Sequence, residues 1–245
     1  MRITRQSCSF ILILFVQLSF LWSAPIVSAS DDQQLDSLIS LLNSGNWQSR
    51  MMAAREIGSI PIDDTSRAMG ILIRAIESEF ENPVSLDVSL IGSDMSDSEL
   101  LRREYTSTLI KISPFPSAFL RAFVDTAKGE MRDWVLTALA IQGDKSVHDD
   151  VRIIASTSPS PWIRLRAFEG LRAYRDSSDV DLFEKALSDT FRTEALTDIY
   201  LEDGSRGVNP AYPIRSQAMM ALRDLGFEVI PDTANGGYKA VKIEK

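Results

Sequence analysis

Five segments of the chain align without gaps on an arginine, a residue three positions on, and a large apolar residue seven positions on. They are Arg50, Ala53 and Ile57; Arg102, Tyr105 and Leu109; Arg132, Val135 and Leu139; Arg164, Ala167 and Leu171; and Arg215, Ala218 and Leu222. In four of the five an apolar residue precedes the arginine: Leu101, Met131, Ile163 and Ile214, with Ser49 in the first copy. Positions −1, +3 and +7 fall on one face of a helix, so each segment predicts an amphipathic helix that buries this stripe. A small residue at +3 lets a neighbouring helix come close. A pattern that recurs in this way constrains the fold more than any single motif, because each unit can hide its apolar face only against the next.

The marked arginines are 52, 30, 32 and 51 residues apart, and the two short intervals define a unit of about 31 residues: helix, turn, helix, turn. Second helices are predicted at Thr65–Glu79, Ser117–Lys128, Lys145–Ser156 and Asp179–Ser188, with Asp31–Leu42 as a leading half-repeat. Asp64, Asp144 and the Ser177–Asp179 run supply cap chemistry at their starts, and Pro114–Ser117 leads into another. An arginine early in a helix opposes the macrodipole. It therefore calls for an acidic partner, and Asp63, Asp64, Asp144, Asp176 and Asp179 stand in turns that can supply one. The long intervals each hold an insertion, near 80–97 with an extended stretch at Val84–Ile91, and near 189–211 with a turn at Asp203–Gly207. After Gly226 the periodicity drops to 2. Phe227–Ile230 and Tyr238–Ile243 read as two strands that cover the open end of the last repeat.

An apolar-Arg-x-x-Ala-x-x-x-Leu helix on this period, paired with a second helix opening in Asp or Ser, resembles HEAT repeats of the short, PBS-lyase-like class. The resemblance covers roughly Asp31 to Leu225 and is clearest at Arg50–Ile57, Trp162–Leu171 and Ile214–Leu222. It departs where Tyr105 and Val135 replace the small residue, and there it implies looser packing or a pivot. It implies an all-α, α-α superhelix, a solenoid whose second helices line a concave face, and a protein-binding scaffold more often than an enzyme. Some members help attach bilins to phycobiliproteins, which are cytoplasmic.

The N-terminus points elsewhere. Arg2 and Arg5 precede an apolar run from Phe10 to Trp22, shorter than the ~20 residues a comfortable bilayer span takes. Val27 and Ala29 then occupy the −3 and −1 positions of a signal-peptidase cut that leaves Ser30 first. The expected organisation is thus a signal peptide at 1–29, a helical array at 30–226 and a tail at 227–245, with the protein periplasmic or secreted. The alternative is an uncleaved anchor. Cys8, the one cysteine, lies inside the signal segment, so core packing and not disulfides must hold the exported chain. With Lys and Arg at 26 against 34 Asp and Glu, and no basic stretch, nucleic acid is an unsuitable partner.

No catalytic constellation stands out. The one histidine, His148, is followed by Asp149 and Asp150, but adjacent helical residues diverge, and the trio reads as a solvated face and not a metal site. A serine hydrolase needs a nucleophile, a base and an orienting acid, and no such set is marked. Two carboxylates suffice for glycosidase chemistry, yet nothing singles out a pair. Trp47, Trp134 and Trp162 suit packing between repeats better than carbohydrate stacking. The arginine ladder reads as a set of structural ties. These readings predict a non-catalytic, exported adaptor with no cofactor and another protein as its partner. The alternative is a hydrolase or accessory enzyme using carboxylates near the insertions.

Overall fold

The computed structural model describes residues 31–60, 64–81, 97–200, 206–233 and 237–243. The expected export segment, the extended stretch at Val84–Ile91, Asp63 and the Asp203–Gly204 turn lie outside them. The described chain is mostly helical, with ten α-helices and two antiparallel hairpins. The helices are α1 (Asp31–Leu42), α2 (Trp47–Ile57), α3 (Thr65–Glu81), α4 (Asp97–Lys111) and α5 (Ser117–Val124), followed by α6 (Gly129–Ile141), α7 (His148–Thr157), α8 (Pro161–Tyr174), α9 (Val180–Ala186) and α10 (Pro213–Asp224). Two short 3-10 turns, Lys145–Val147 and Ser177–Asp179, lead into α7 and α9.

The marked segments are α2, α4, α6, α8 and α10, and each packs on the next. The intervening helices α3, α5, α7 and α9, with α1 leading, each pack on the marked helix that follows. The stripe read from the sequence faces inward throughout. At +3, Ala53, Tyr105, Val135, Ala167 and Ala218 are at most 1 % exposed, and at +7 so are Ile57, Leu109, Leu139, Leu171 and Leu222. Tyr105 and Val135 are therefore fully enclosed despite their size. A close approach between marked helices falls at Gly170 of α8. A Cβ built there would lie 2.5 Å from the Ala140 Cβ of α6.

The helix boundaries follow local chemistry. Asp64 accepts from the Arg67 amide at 2.9 Å, Asn46 from Ser49, and Ser160 from Ile163. Asp144 and Asp176 accept from Ser146 and Ser178 and set the two 3-10 turns. The sequence placed the last cap within Ser177–Asp179; Asp176 takes that role and leaves Asp179 free to be buried. Three marked helices stop four residues after their marked leucine on a residue with positive φ: Gly143 (83°), Arg175 (52°) and Gly226 (87°). Left-handed backbone of this kind ends a helix and costs a residue with a Cβ more than it costs glycine.

One element departs from the expected helices and loops, while the expected C-terminal strands pair as a hairpin. The second insertion is a hairpin, β1 (Thr193–Tyr200) with β2 (Arg206–Ala211), irregular between Leu196 and Tyr200. Its strands lie either side of residues 201–205. The C-terminal hairpin, β3 (Phe227–Pro231) with β4 (Tyr238–Lys242), pairs Phe227 with Lys242 and Pro231 with Tyr238. Strand β3 packs on α10, and Phe227, Val229 and Ala240 rest against the core there.

Candidate functional site

Each marked arginine reaches a second helix, but none of the acids that meet them is one of the turn aspartates expected. Arg50 donates to Glu79 of α3 at 2.6 Å, with Glu79 only 1 % exposed. Arg132 pairs with Asp150 of α7 at 3.0 Å, both ends well exposed. Arg164 pairs with Asp189, just past α9, at 3.4 Å and donates to the Ser158 carbonyl at 3.0 Å. Arg102 donates to the Glu79 carbonyl and lies over the Phe80 ring, 4.3 Å from its centroid. Arg215 donates to the Asp189 carbonyl and lies over Tyr212. The physical reason is in the carbonyls. Arg102, Arg164 and Arg215 each cap the C-terminal end of the second helix before them, where the macrodipole is negative. Asp64, Asp144 and Asp176 are occupied by amides at their own helix starts, and Asp179 is held by Arg152 and His148.

A second set of ties, which the repeat pattern did not mark, joins neighbouring second helices. Arg121 of α5 donates to Asp144 at 2.5 Å. Arg152 of α7 donates to the Asp179 carboxylate and to the Ser178 carbonyl, the latter at 2.7 Å. Asp179 is fully buried and also meets His148 Nε2 at 3.0 Å. His148 thus lies half-buried against Asp179 and the edge of the Tyr174 ring, 5.2 Å between centroids. That corrects the solvated-face reading: Asp149 is solvated, His148 is a tie between units. Tyr174 donates to the Asp144 carbonyl at 2.6 Å, and burial, then the charges of Asp144 and Asp179, push its hydroxyl above the ordinary range. The 32-residue offset between Asp144 and Asp176 was the available signal for this second ladder.

The tryptophans are not open platforms. Trp134 and Trp162 are buried, Trp162 against Phe191 from the second insertion and under Arg103. Trp47 is partly buried against the core.

Two small clefts open where second helices end. The first, about 250 Å³, lies among α1, α2 and α3, with Arg50, Arg74 and Glu79 as its charged lining and Tyr105 of α4 at its wall. The second, about 230 Å³, lies among α7, α8 and α9, with Arg164, Lys185 and Asp189. In both, the acid is held by the marked arginine. Burial, then the charge of Glu79, raises the Tyr105 hydroxyl above its usual range, so it is no base at neutral pH. Among the described residues no three His, Cys, Asp or Glu side chains converge on a point that could hold a metal ion. No described helix is long and apolar enough to cross a membrane.

No family model matches the chain, and no curated protein matches it.

Proposed function

We propose that this chain is an exported, non-catalytic scaffold whose helix pairs stack as a HEAT-like α-α superhelix and hold another protein along the second helices. The observation that carries the reading is where apolar surface is left open. Four large apolar side chains stand exposed on the described helices: Leu41, Met52, Phe119 and Ile153. Three of them are on the second helices α1, α5 and α7, and only Met52 is on a marked helix. Exposed apolar groups rimmed by polar ones suit a protein partner. The marked arginines, by contrast, are taken up within the array. Export rests on the sequence of residues 1–29 and on the absence of cysteine after Cys8.

Two measurements test this. Expressed in a secreting host, the chain should be recovered outside the cytoplasm with Ser30 at its N-terminus by intact mass; retention of residues 1–29 would remove the export reading. Purified chain, cross-linked in periplasmic extract, should capture a discrete partner, and capture should fail when Phe119 and Ile153 are both replaced by Glu. The competing reading, a carboxylate hydrolase near the insertions, predicts turnover in a hydrolase screen that is lost on Glu79→Gln or Asp189→Asn.

A further inference from the structure

The two clefts are the same structure built twice. In each, a second helix ends between the helix before it and its own marked partner. The marked arginine meets an acid at that end, Arg50 with Glu79 at 2.6 Å and Arg164 with Asp189 at 3.4 Å. A further cation stands about one turn back, Arg74 in the first and Lys185 in the second. Both are exposed and have no ion-pair partner among the described residues. Each cleft is thus left with one uncompensated positive charge. Apolar side chains share each lining: Leu42, Ile71 and Ala75 in one, Phe168, Leu182 and Ala186 in the other. Hydroxyls rim both: Ser44 and Ser156 donate theirs to backbone carbonyls, while Ser78 in the first cleft and Ser188 in the second face the lining as neutral donors. In the first, the buried Arg50 Nε has no acceptor.

We propose that these clefts are two equivalent sites for a monocarboxylate carried on a short apolar body. One uncompensated cation beside neutral donors matches a single negative charge; a phosphate dianion would call for more. Both volumes fall below the ~300 Å³ at which drug-sized sites begin, so the occupant is a chain end or a small acid and not a large cofactor. The carboxylate lies by Arg74 or Lys185, and the apolar body lies against the apolar side chains of the lining. This goes beyond the scaffold reading and stands whether or not the array holds a protein partner.

The test is calorimetric titration of the purified chain with sodium hexanoate, alongside the Arg74→Ala and Lys185→Ala variants and the double variant. Both side chains are exposed and free of described ion pairs, so the unliganded melting temperature should not move. Hexanoate should fill two sites in the parent chain and one in each single variant, with affinity at the altered site down about tenfold or more. Acetate and hexan-1-ol, each lacking half of the ligand, should bind correspondingly more weakly. A short peptide ending in leucine separates the two sources of such a carboxylate. Tighter binding than hexanoate, lost on C-terminal amidation, assigns the sites to chain ends; weaker binding assigns them to free acids. Hexanoate affinity unchanged in the double variant, no saturable hexanoate binding, or inorganic phosphate binding as tightly as hexanoate would overturn the proposal.

Discussion

The marked arginines differ in surroundings, and the difference predicts their worth. Glu79 is enclosed, so Arg50→Ala takes the paired cation away from a buried carboxylate and should cost about 3–5 kcal/mol. Arg132 and Asp150 are both near 40 % exposed, and Arg132→Ala should cost only about 0–1 kcal/mol. Denaturant melts of the two variants against the parent would check this, and equal losses would contradict it. Arg175 is the second case. It occupies the left-handed position that glycine takes in the neighbouring units, at Gly143 and Gly226. Arg175→Gly should therefore stabilise the chain by about 0.5–1 kcal/mol, read as a rise in melting temperature. The arginines and their helical stripe were legible because their signal is local and periodic. Their partners were not. Glu79 and Asp189 lie a whole helix away in sequence, while nearer acids such as Asp64, Asp144 and Asp176 are taken by backbone amides within their own turns.

Among elements, α6 and α8 meet closely at Gly170. Gly170→Ala puts a methyl group into Ala140, against backbone as well as side chain, and α8 must move away. Overpacking of this sort costs about 1–3 kcal/mol, or a melting-temperature drop of roughly 2–10 °C at this chain length. An unchanged melt would mean that the two helices are not so close. Asp144 joins three helices through Arg121 and Tyr174 and also caps its own turn. The hydrogen bond from Arg121, against the opposing effect of burial, holds its carboxyl below the usual carboxylate range, with Ser146 assisting. In the unfolded chain it returns to about 3.9, so between the two values the unfolded state binds more protons and stability rises with pH. The contribution is complete above the unfolded value and is lost as pH falls through the folded one. Arg121→Ala should accordingly flatten the acid limb of a melting-temperature profile below about pH 4. An acid limb as steep as the parent's would contradict the assignment. Helix positions were readable to within a few residues, because caps and periodicity are short-range. The terminal hairpin was readable from its change of period. The β1–β2 hairpin was passed over because its strands carry Glu194 and Asp198 and lack a clean apolar alternation, so only the Asp203–Gly204 turn hinted at it.

Across the whole molecule, the marked and intervening helices separate tasks. The marked row packs continuously from α2 to α10, and its arginines are spent on the ends of second helices. The intervening helices keep their own ties, Arg121 with Asp144 and Arg152 with Asp179, and still leave Leu41, Phe119 and Ile153 open. The helical class was legible from one recurring pattern. The clefts were not, because each assembles residues from three or four helices that no spacing rule brings together. The most direct test of partner binding by the second helices is site-resolved photo-cross-linking in the secreting cell, with a photoreactive residue in turn at positions 119, 153 and 52. The account predicts one shared cross-linked partner from positions 119 and 153 and none from position 52. Cross-linking from position 52 alone, or equally from all three, would contradict it.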